Sequence, residues 1–299
     1  MNYDPVSALA LLAPTDWTDY ELLDSGRGAK LERFGRYTFV RPEPEALWRP
    51  ALPDEHWHAA DGVFQPKAEG DNGRWKFNRP IEPRWAMSYR DLKFWVQPTP
   101  FRHLGVFPEH ASQWVWADRL IRGCGGPVNV LNLFGYTGVF SLACAAAGAR
   151  VTHVDASKKT MTWARENQAL SGMEELPIRW IVDDALKFVQ REARRGSRYD
   201  GLILDPPKYG RGPGGEVWRV QESLPALLDV CRRLLTPEPM FVVLSAYAIK
   251  ASALSLHHAV AEMMSEYGGK VVSGEMVLAE KSSGRLVSCS IFARWSPAP

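Results

Sequence analysis

Residues 199–210 read YDGLILDPPKYG. An apolar run that stops abruptly at an acid and two prolines is the sequence of a buried parallel strand ending at the edge of a sheet. Pro206 and Pro207 fix φ and remove two backbone donors, so neither ladder nor helix can continue through them. Asp205 is thereby presented at the carboxyl end of a strand, where open α/β sheets bind their ligands. Asp and Pro also make ordinary turns. The weight of the motif comes from three upstream strand ends that carry matching chemistry.

The organisation of the chain changes near residue 127. Before it fall eight of the 12 tryptophans (Trp17, Trp48, Trp57, Trp75, Trp85, Trp95, Trp114, Trp116), among Pro, Gly and short alternating runs such as RYTFV. That is the pattern of short antiparallel strands, and residues 30–48 read as a compact strand pair. After it, apolar strands alternate with helical stretches, which predicts a parallel sheet with right-handed crossovers. At 299 residues, the chain has room for a small β-rich domain over 1–100, a possible substrate-binding unit, and a larger α/β domain over 101–299.

The first strand of the second half is VNVLNLF, 128–134; it runs through Gly135-Tyr136-Thr137-Gly138 into an apolar helix over 139–148. A glycine turn at a buried helix N-terminus lets a ligand approach free backbone N–H groups. The dinucleotide fingerprint GxGxxG is absent, which argues against a nicotinamide dehydrogenase. The second strand, 150–157, ends in Asp155-Ala156-Ser157. Asp155 stands at about the distance from the turn expected of an acid that grips ribose hydroxyls, and Ser157 suits a helix cap. The third strand, 178–185, ends in Asp183-Asp184-Ala185; such an acid could accept from the amino group of adenine or could start a helix.

Composition bounds the rest. Hydrophobic residues at 45% and charged residues at 23% are those of a soluble globular protein, and a net charge of +2 leaves any nucleic-acid affinity to local patches. Cys124, Cys144, Cys231 and Cys289 lack CxxC spacing, so no metal site or disulfide framework is expected and a reducing, cytoplasmic setting is the simplest. The apolar stretch 6–13 is too short to span a membrane and lacks the basic start of a signal peptide.

The segments LNLFGYTGVFS, VTHVDAS, VDDALKF and LILDPPKYG resemble the motifs of class I S-adenosylmethionine-dependent methyltransferases. More narrowly, they resemble the bacterial large-subunit rRNA methyltransferases that act on cytosine C5, together with relatives of unassigned activity. The likeness covers about residues 100–295, including HLGVFPEH at 103–110. It implies a Rossmann-like seven-stranded sheet whose last strand is antiparallel, closed by the pair 269–279 and 285–295. It implies S-adenosyl-L-methionine as cofactor and RNA, rRNA above all, as substrate. By position, Asn132 and the turn Phe134, Gly135, Tyr136, Thr137 and Gly138 would face its methionine part. Asp155, with Ala156 and Ser157, would hold the ribose; Asp183 or Asp184, with Ala185, the adenine; Glu109 and His110 would close the site from the side. Asp205, Pro206, Pro207, Lys208 and Tyr209 would form the catalytic segment facing the methyl group and the acceptor.

The chain departs from the cytosine-C5 pattern at one point. Those relatives carry a cysteine just after the fifth strand, whereas here MFVVLSAY puts Ser245, Ala246 and Tyr247 in that region. C5 chemistry needs a thiolate to attack C6, so a nitrogen acceptor is the better expectation. The same fold could instead methylate a protein or a small molecule, or bind the cofactor without turnover.

Two further segments bear on the substrate. Over 74–102, Arg74, Lys76, Arg79, Arg84, Arg90, Lys93 and Arg102 interleave with seven aromatics, as a single-stranded RNA surface would, or as a small β-domain with rings inside and cations outside. The glycine-rich stretch 208–216 reads as a mobile loop poised over the site.

Overall fold

The computed structural model describes residues 8–67 and 72–297; residues 1–7, at the start of the expected N-terminal domain, lie outside that description. The chain opens with a short strand, β1 (Ala10–Leu12), followed by a meander of β2 (Tyr20–Gly26), β3 (Ala29–Phe34) and β4 (Tyr37–Pro42). A one-turn helix α1 (Asp54–His58) leads to β5 (Gly62–Pro66) and β6 (Gly73–Phe77), and a hairpin of β7 (Trp85–Tyr89) and β8 (Leu92–Val96) follows. Strands β2 to β6 form one sheet in sequential order, antiparallel except for the parallel β4–β5 step. The strand pair expected over 30–48 is β3–β4.

The second half alternates as its sequence pattern predicts: α2 (Ala111–Gly123), β9 (Asn129–Leu133), α3 (Val139–Ala146), β10 (Arg150–Asp155), α4 (Lys158–Leu170), β11 (Ile178–Val182), α5 (Ala185–Arg195) and β12 (Gly201–Leu204). A small hairpin, β13 (Tyr209–Arg211) with β14 (Val217–Arg219), precedes α6 (Val220–Arg232), β15 (Phe241–Ala246), α7 (Ala253–Met263), β16 (Lys270–Ala279) and β17 (Leu286–Ser296). The main sheet runs β1-β16-β17-β15-β12-β9-β10-β11. Its β9, β10, β11, β12 and β15 are mutually parallel, and β17 is antiparallel to both neighbours. The seven expected strands are all present, and the eighth, β1, pairs with β16 at the edge.

Strand β9 lies between β12 and β10 and is buried on both faces, and its apolar run is interrupted only by Asn129 and Asn132. Helix α3 buries Val139 through Ala145 against the sheet. One core cluster runs from Tyr20, Phe34 and Trp85 of the small sheets into Leu142 and Val130 of the large one. The β16–β17 turn docks on β2, with Lys281 N donating to Leu22 O at 2.8 Å and Ser282 Oγ to Asp24 Oδ1 at 2.8 Å. Beside it, Arg41 makes two 2.7 Å bonds to buried Glu32. Burial alone would raise the Glu32 carboxyl, but Arg41 and Lys30 hold it below the ordinary range. Among the described residues no helix is long and apolar enough to cross a membrane.

Candidate active site at the carboxyl edge of the sheet

The site is built where β9, β10, β11, β12 and β15 end side by side. After Leu133 the chain turns sharply: Phe134 has φ 59°, Tyr136 φ 50° and Gly138 φ 82°, all in the left-handed region. The turn is tied down on three sides. Gly135 N donates to Val154 O at 3.1 Å, Tyr136 N to Asp155 Oδ2 at 2.9 Å, and Thr137 Oγ1 to Gly105 O at 2.6 Å. Gly135 is required for packing, because a Cβ there would stand 2.3 Å from the His153 ring. His153 is fully buried under the turn, with Nδ1 2.9 Å from Ser141 Oγ, and burial pushes it down to about 3, so it is neutral. Asn132 Nδ2 donates to the same hydroxyl at 2.9 Å. The turn delivers the chain to α3, whose N-terminus has no side-chain cap, so its first N–H groups are left for a ligand.

Asp155 closes the second strand. Its Oδ1 accepts from Ser157 N and Thr160 Oγ1, both at 2.9 Å, and its Oδ2 from Tyr136 N. Burial raises its carboxyl above the ordinary range even against these donors. Ser157 caps α4 by accepting from Thr160 N at 3.3 Å, with Ala156 between the two. At the third strand end the acids divide their roles. Asp184 caps α5, accepting from Lys187 N at 2.9 Å, and Ala185 is the helix's first residue. Asp183 faces the other way; its Oδ1 accepts from Asp184 N and its Oδ2 pairs with Arg191.

Asp205 ends the fourth strand. Ser245 Oγ, at the end of neighbouring β15, donates to Asp205 Oδ1 at 2.9 Å, and His110 Nε2 lies 3.8 Å from Oδ2. Pro207 O accepts from Trp218 Nε1 at 2.8 Å, and the Trp218 ring lies 4.8 Å from that of Phe134. The stretch 208–216, expected to be a mobile loop over the site, belongs to the β13–β14 hairpin, with Gly212 N donating to Glu216 O at 2.8 Å and Glu216 paired with Lys187 of α5. Lys208 and Tyr209 stand exposed on it, Tyr209 at 51%.

Between these strand ends lies a half-open cleft of about 50 Å³, lined by Asn132, Phe134, Gly135, Tyr136, Thr137, His110 and Asp205. Val106, Phe107, Trp114, Val139, Phe140 and Ile203 complete its wall and were not singled out from the sequence. Glu109 is buried beside His110 but does not line the cleft. The rings of Tyr136, His103 and Tyr247 surround that of Phe107, at centroid distances of 4.7 to 6.1 Å.

The basic, aromatic segment 74–102 resolves largely into structure. Trp85, Tyr89 and Phe94 are core residues. Arg84 lies 4.3 Å over Trp95 and pairs with Glu166, and Arg79 pairs with Asp61. Trp75 and Trp95 are half-buried, and Phe77 and Phe101 are exposed, so three of the seven rings belong to the core and two face solvent.

The donor set suits S-adenosylmethionine. The uncapped α3 terminus favours a carboxylate, the aromatic wall suits a sulfonium methyl, and Asp155 Oδ2 retains a lone pair for a hydroxyl. Asp155 and Asp183 lie outside the lining of this cleft.

A family model described as S-adenosylmethionine-dependent methyltransferase matches residues 55–251. The structure is similar to that of the S-adenosylmethionine-dependent methyltransferase from Agrobacterium tumefaciens, at 49% identity and a TM-score of 0.93, covering 97% of this chain and 94% of the other. Residues of this chain are 31% identical over 147 positions to the ribosomal RNA large subunit methyltransferase K/L of Shewanella frigidimarina, covering 48% of this chain and 20% of that protein. The ribosomal RNA large subunit methyltransferase K of Neisseria meningitidis is 26% identical over 148 residues, covering 49% and 41%. The chain thus spans well under half the length of these two relatives. With a family model over two thirds of its length and a near full-length structural relative, the chain belongs to the S-adenosylmethionine-dependent methyltransferases.

Proposed function

We propose that this methyltransferase acts on a base in RNA, ribosomal RNA above all, and that the acceptor is a nitrogen and not cytosine C5. The observation that carries the acceptor assignment is Ser245 Oγ bonded to Asp205 Oδ1 where a C5 enzyme needs a thiolate. The cysteines are placed elsewhere. Cys144 and Cys231 are fully buried within helices, burial pushing the Cys231 thiol up to about 12 and that of Cys144 higher still. Cys289 lies in β17, its thiol likewise raised by burial, and Cys124 is exposed beyond α2. The RNA reading is supported by the names of the large-subunit rRNA methyltransferases to which half of the chain is similar.

In this reading the cofactor supplies an electrophilic methyl group on a sulfonium. Phe134, Gly135, Tyr136, Thr137 and Gly138, with Asn132 beneath them, hold its amino-acid end at the α3 terminus. Asp155, with Ala156 and Ser157 shaping the strand end, takes the ribose, while Asp183 takes the adenine amino group in competition with Arg191. Ser245 fixes Oδ1 of Asp205 and leaves Oδ2 to accept from an amino group of the target base, so that the nitrogen lone pair is aimed along the transfer line. His110, 3.8 Å from Oδ2, walls that side. Pro206 and Pro207 keep the segment extended, and Tyr209 offers a ring to a base turned out of its stack. In this reading Lys208, Arg211 and Arg219, at the hairpin, would meet phosphates. On the same reading 101–299 does the chemistry and 1–100 supports it from the substrate side, with β1 in the main sheet and one core cluster shared across that boundary.

Mass spectrometry of rRNA nucleosides from cells with and without the gene tests this. A methylated nucleoside lost on deletion and restored by the gene is expected. Identical profiles would refute the rRNA assignment, and loss of a 5-methylcytidine would refute the acceptor.

A further inference from the structure

The largest cavity described on the molecule is at the opposite edge from the chemistry. An open groove of about 860 Å³ lies where the C-termini of α5 and α6 approach the segments entering β12 and β15. Arg194, Arg198, Arg232 and Arg233 line it with the half-buried Tyr267, and the one acid on its wall, Glu266, is 3.6 Å from Arg232. Among the described residues the side chains of Arg194 and Arg233 have no partner, and the guanidinium of Arg198 bonds only Ser197 O, at 3.0 Å. Three uncompensated guanidinium groups thus face one cavity in a chain whose net charge is only +2.

A row of basic side chains, its first two paired with acids, runs from this groove along α5 toward the active-site edge. Lys187, Arg191 and Arg194 are spaced four and three residues apart along α5, which puts them on one face, and Arg198 follows just past its end. The row begins at the hairpin, where Lys187 meets Glu216, and passes Arg191 on Asp183. The helix is about 16 Å long at 1.5 Å per residue. Basic residues in a last helical turn complement the carbonyl end of the dipole, which accounts for Arg194, Arg195 and Arg232. It does not account for Arg198, which follows the Gly196 stop, nor for the convergence of two helix ends on a groove walled by an aromatic ring.

We propose that this groove is a second RNA contact: the substrate strand leaves the active-site edge, follows α5, and places backbone phosphates on Arg194, Arg198 and Arg233. The proposal rests on the RNA reading above. It identifies where the methyltransferase gains affinity without reading sequence, since phosphate contacts set position and base contacts set specificity.

The test is a titration of the purified full chain with a labelled single-stranded RNA over a series of salt concentrations, with S-adenosylmethionine binding followed calorimetrically in parallel. Replacing Arg194→Gln, Arg198→Gln and Arg233→Gln together is expected to lower the slope of log affinity against log salt by about 2, at about 0.7 per lost phosphate contact. Cofactor affinity should not move. The pair Arg198→Gln and Arg233→Gln, both outside helix interiors, should lower the slope by about 1.4 and serves if the triple variant misfolds. An unchanged slope and affinity in variants that still bind the cofactor would overturn the groove as a contact while leaving RNA as substrate. A wild-type chain that binds the cofactor and no RNA would overturn the RNA reading itself, and this proposal with it.

Discussion

Ser245 and Asp205 stand at the carboxyl ends of adjacent parallel strands, β15 and β12, joined by a 2.9 Å bond from the serine hydroxyl to Oδ1 of the acid. The bond takes up one carboxylate oxygen and turns the other toward the cleft and His110. Ser245→Ala should therefore lower kcat about 10- to 100-fold, the scale of one lost hydrogen bond to a charged group, about 1.5–3 kcal/mol. Cofactor affinity measured by calorimetry should stay within a few-fold. Equal losses in both would mean that the serine shapes the whole cleft and does not act through Asp205.

Asp155 holds the turn and, in our account, the ribose. Asp155→Ala should weaken S-adenosylmethionine by about 1.5–3 kcal/mol. It should also lower the melting temperature without ligand, because Tyr136 N, Ser157 N and Thr160 Oγ1 all lose their acceptor. Calorimetry and a melt separate the two effects. A lower melting temperature with full affinity would make Asp155 a structural cap only.

Gly135→Ala tests the packing of the turn on His153. The added methyl would meet the buried ring at 2.3 Å, so a cost of about 1–3 kcal/mol is expected from urea denaturation. A neutral result would show that the turn shifts freely.

The buried neutral state of His153 gives stability a pH dependence. Its folded pKa is lowered to about 3 while the unfolded one stays near 6.5, so its contribution is complete above pH 6.5 and is lost as pH falls toward 3. Burial lowers His103 in the same direction. Unfolding free energy should fall between about pH 6.5 and 5 by up to 1.4 kcal/mol per pH unit for each such histidine. His153→Gln should remove one proton's share of that slope. An undiminished slope would place the effect elsewhere.

Much of the fold was legible because it is written locally. The strand ends at Leu133, Asp155, Val182 and Leu204 each announce themselves by an apolar run stopped by Gly, Asp or Pro, and Ser157 and Asp184 cap helices where their spacing from the next apolar run predicts. What was not legible depends on partners distant in sequence. Strand β1 is three residues that gain their pairing from β16, far along the chain. The hairpin at 209–219 reads as a loop because its strands are three residues each, and it is anchored by Trp218 on Pro207 and by Glu216 on Lys187. Ser245 was visible as the residue at a cysteine's place, but its bond to Asp205 required the strands to be set side by side. The aromatics of 74–102 look like a stacking surface until the fold shows which of them are inside.

The central claim is that this methyltransferase moves a methyl group onto a nitrogen of an RNA base under the direction of Asp205, with no cysteine taking part. The most direct measurement incubates the purified chain with methyl-labelled S-adenosylmethionine and rRNA from cells lacking the gene, then identifies the labelled nucleoside by mass spectrometry. The account predicts label on a base nitrogen, lost in Asp205→Ala with cofactor binding retained, and preserved when all four cysteines are replaced. Label on cytosine C5, together with a covalent complex on 5-fluorocytosine RNA that disappears when one cysteine is replaced, would contradict it.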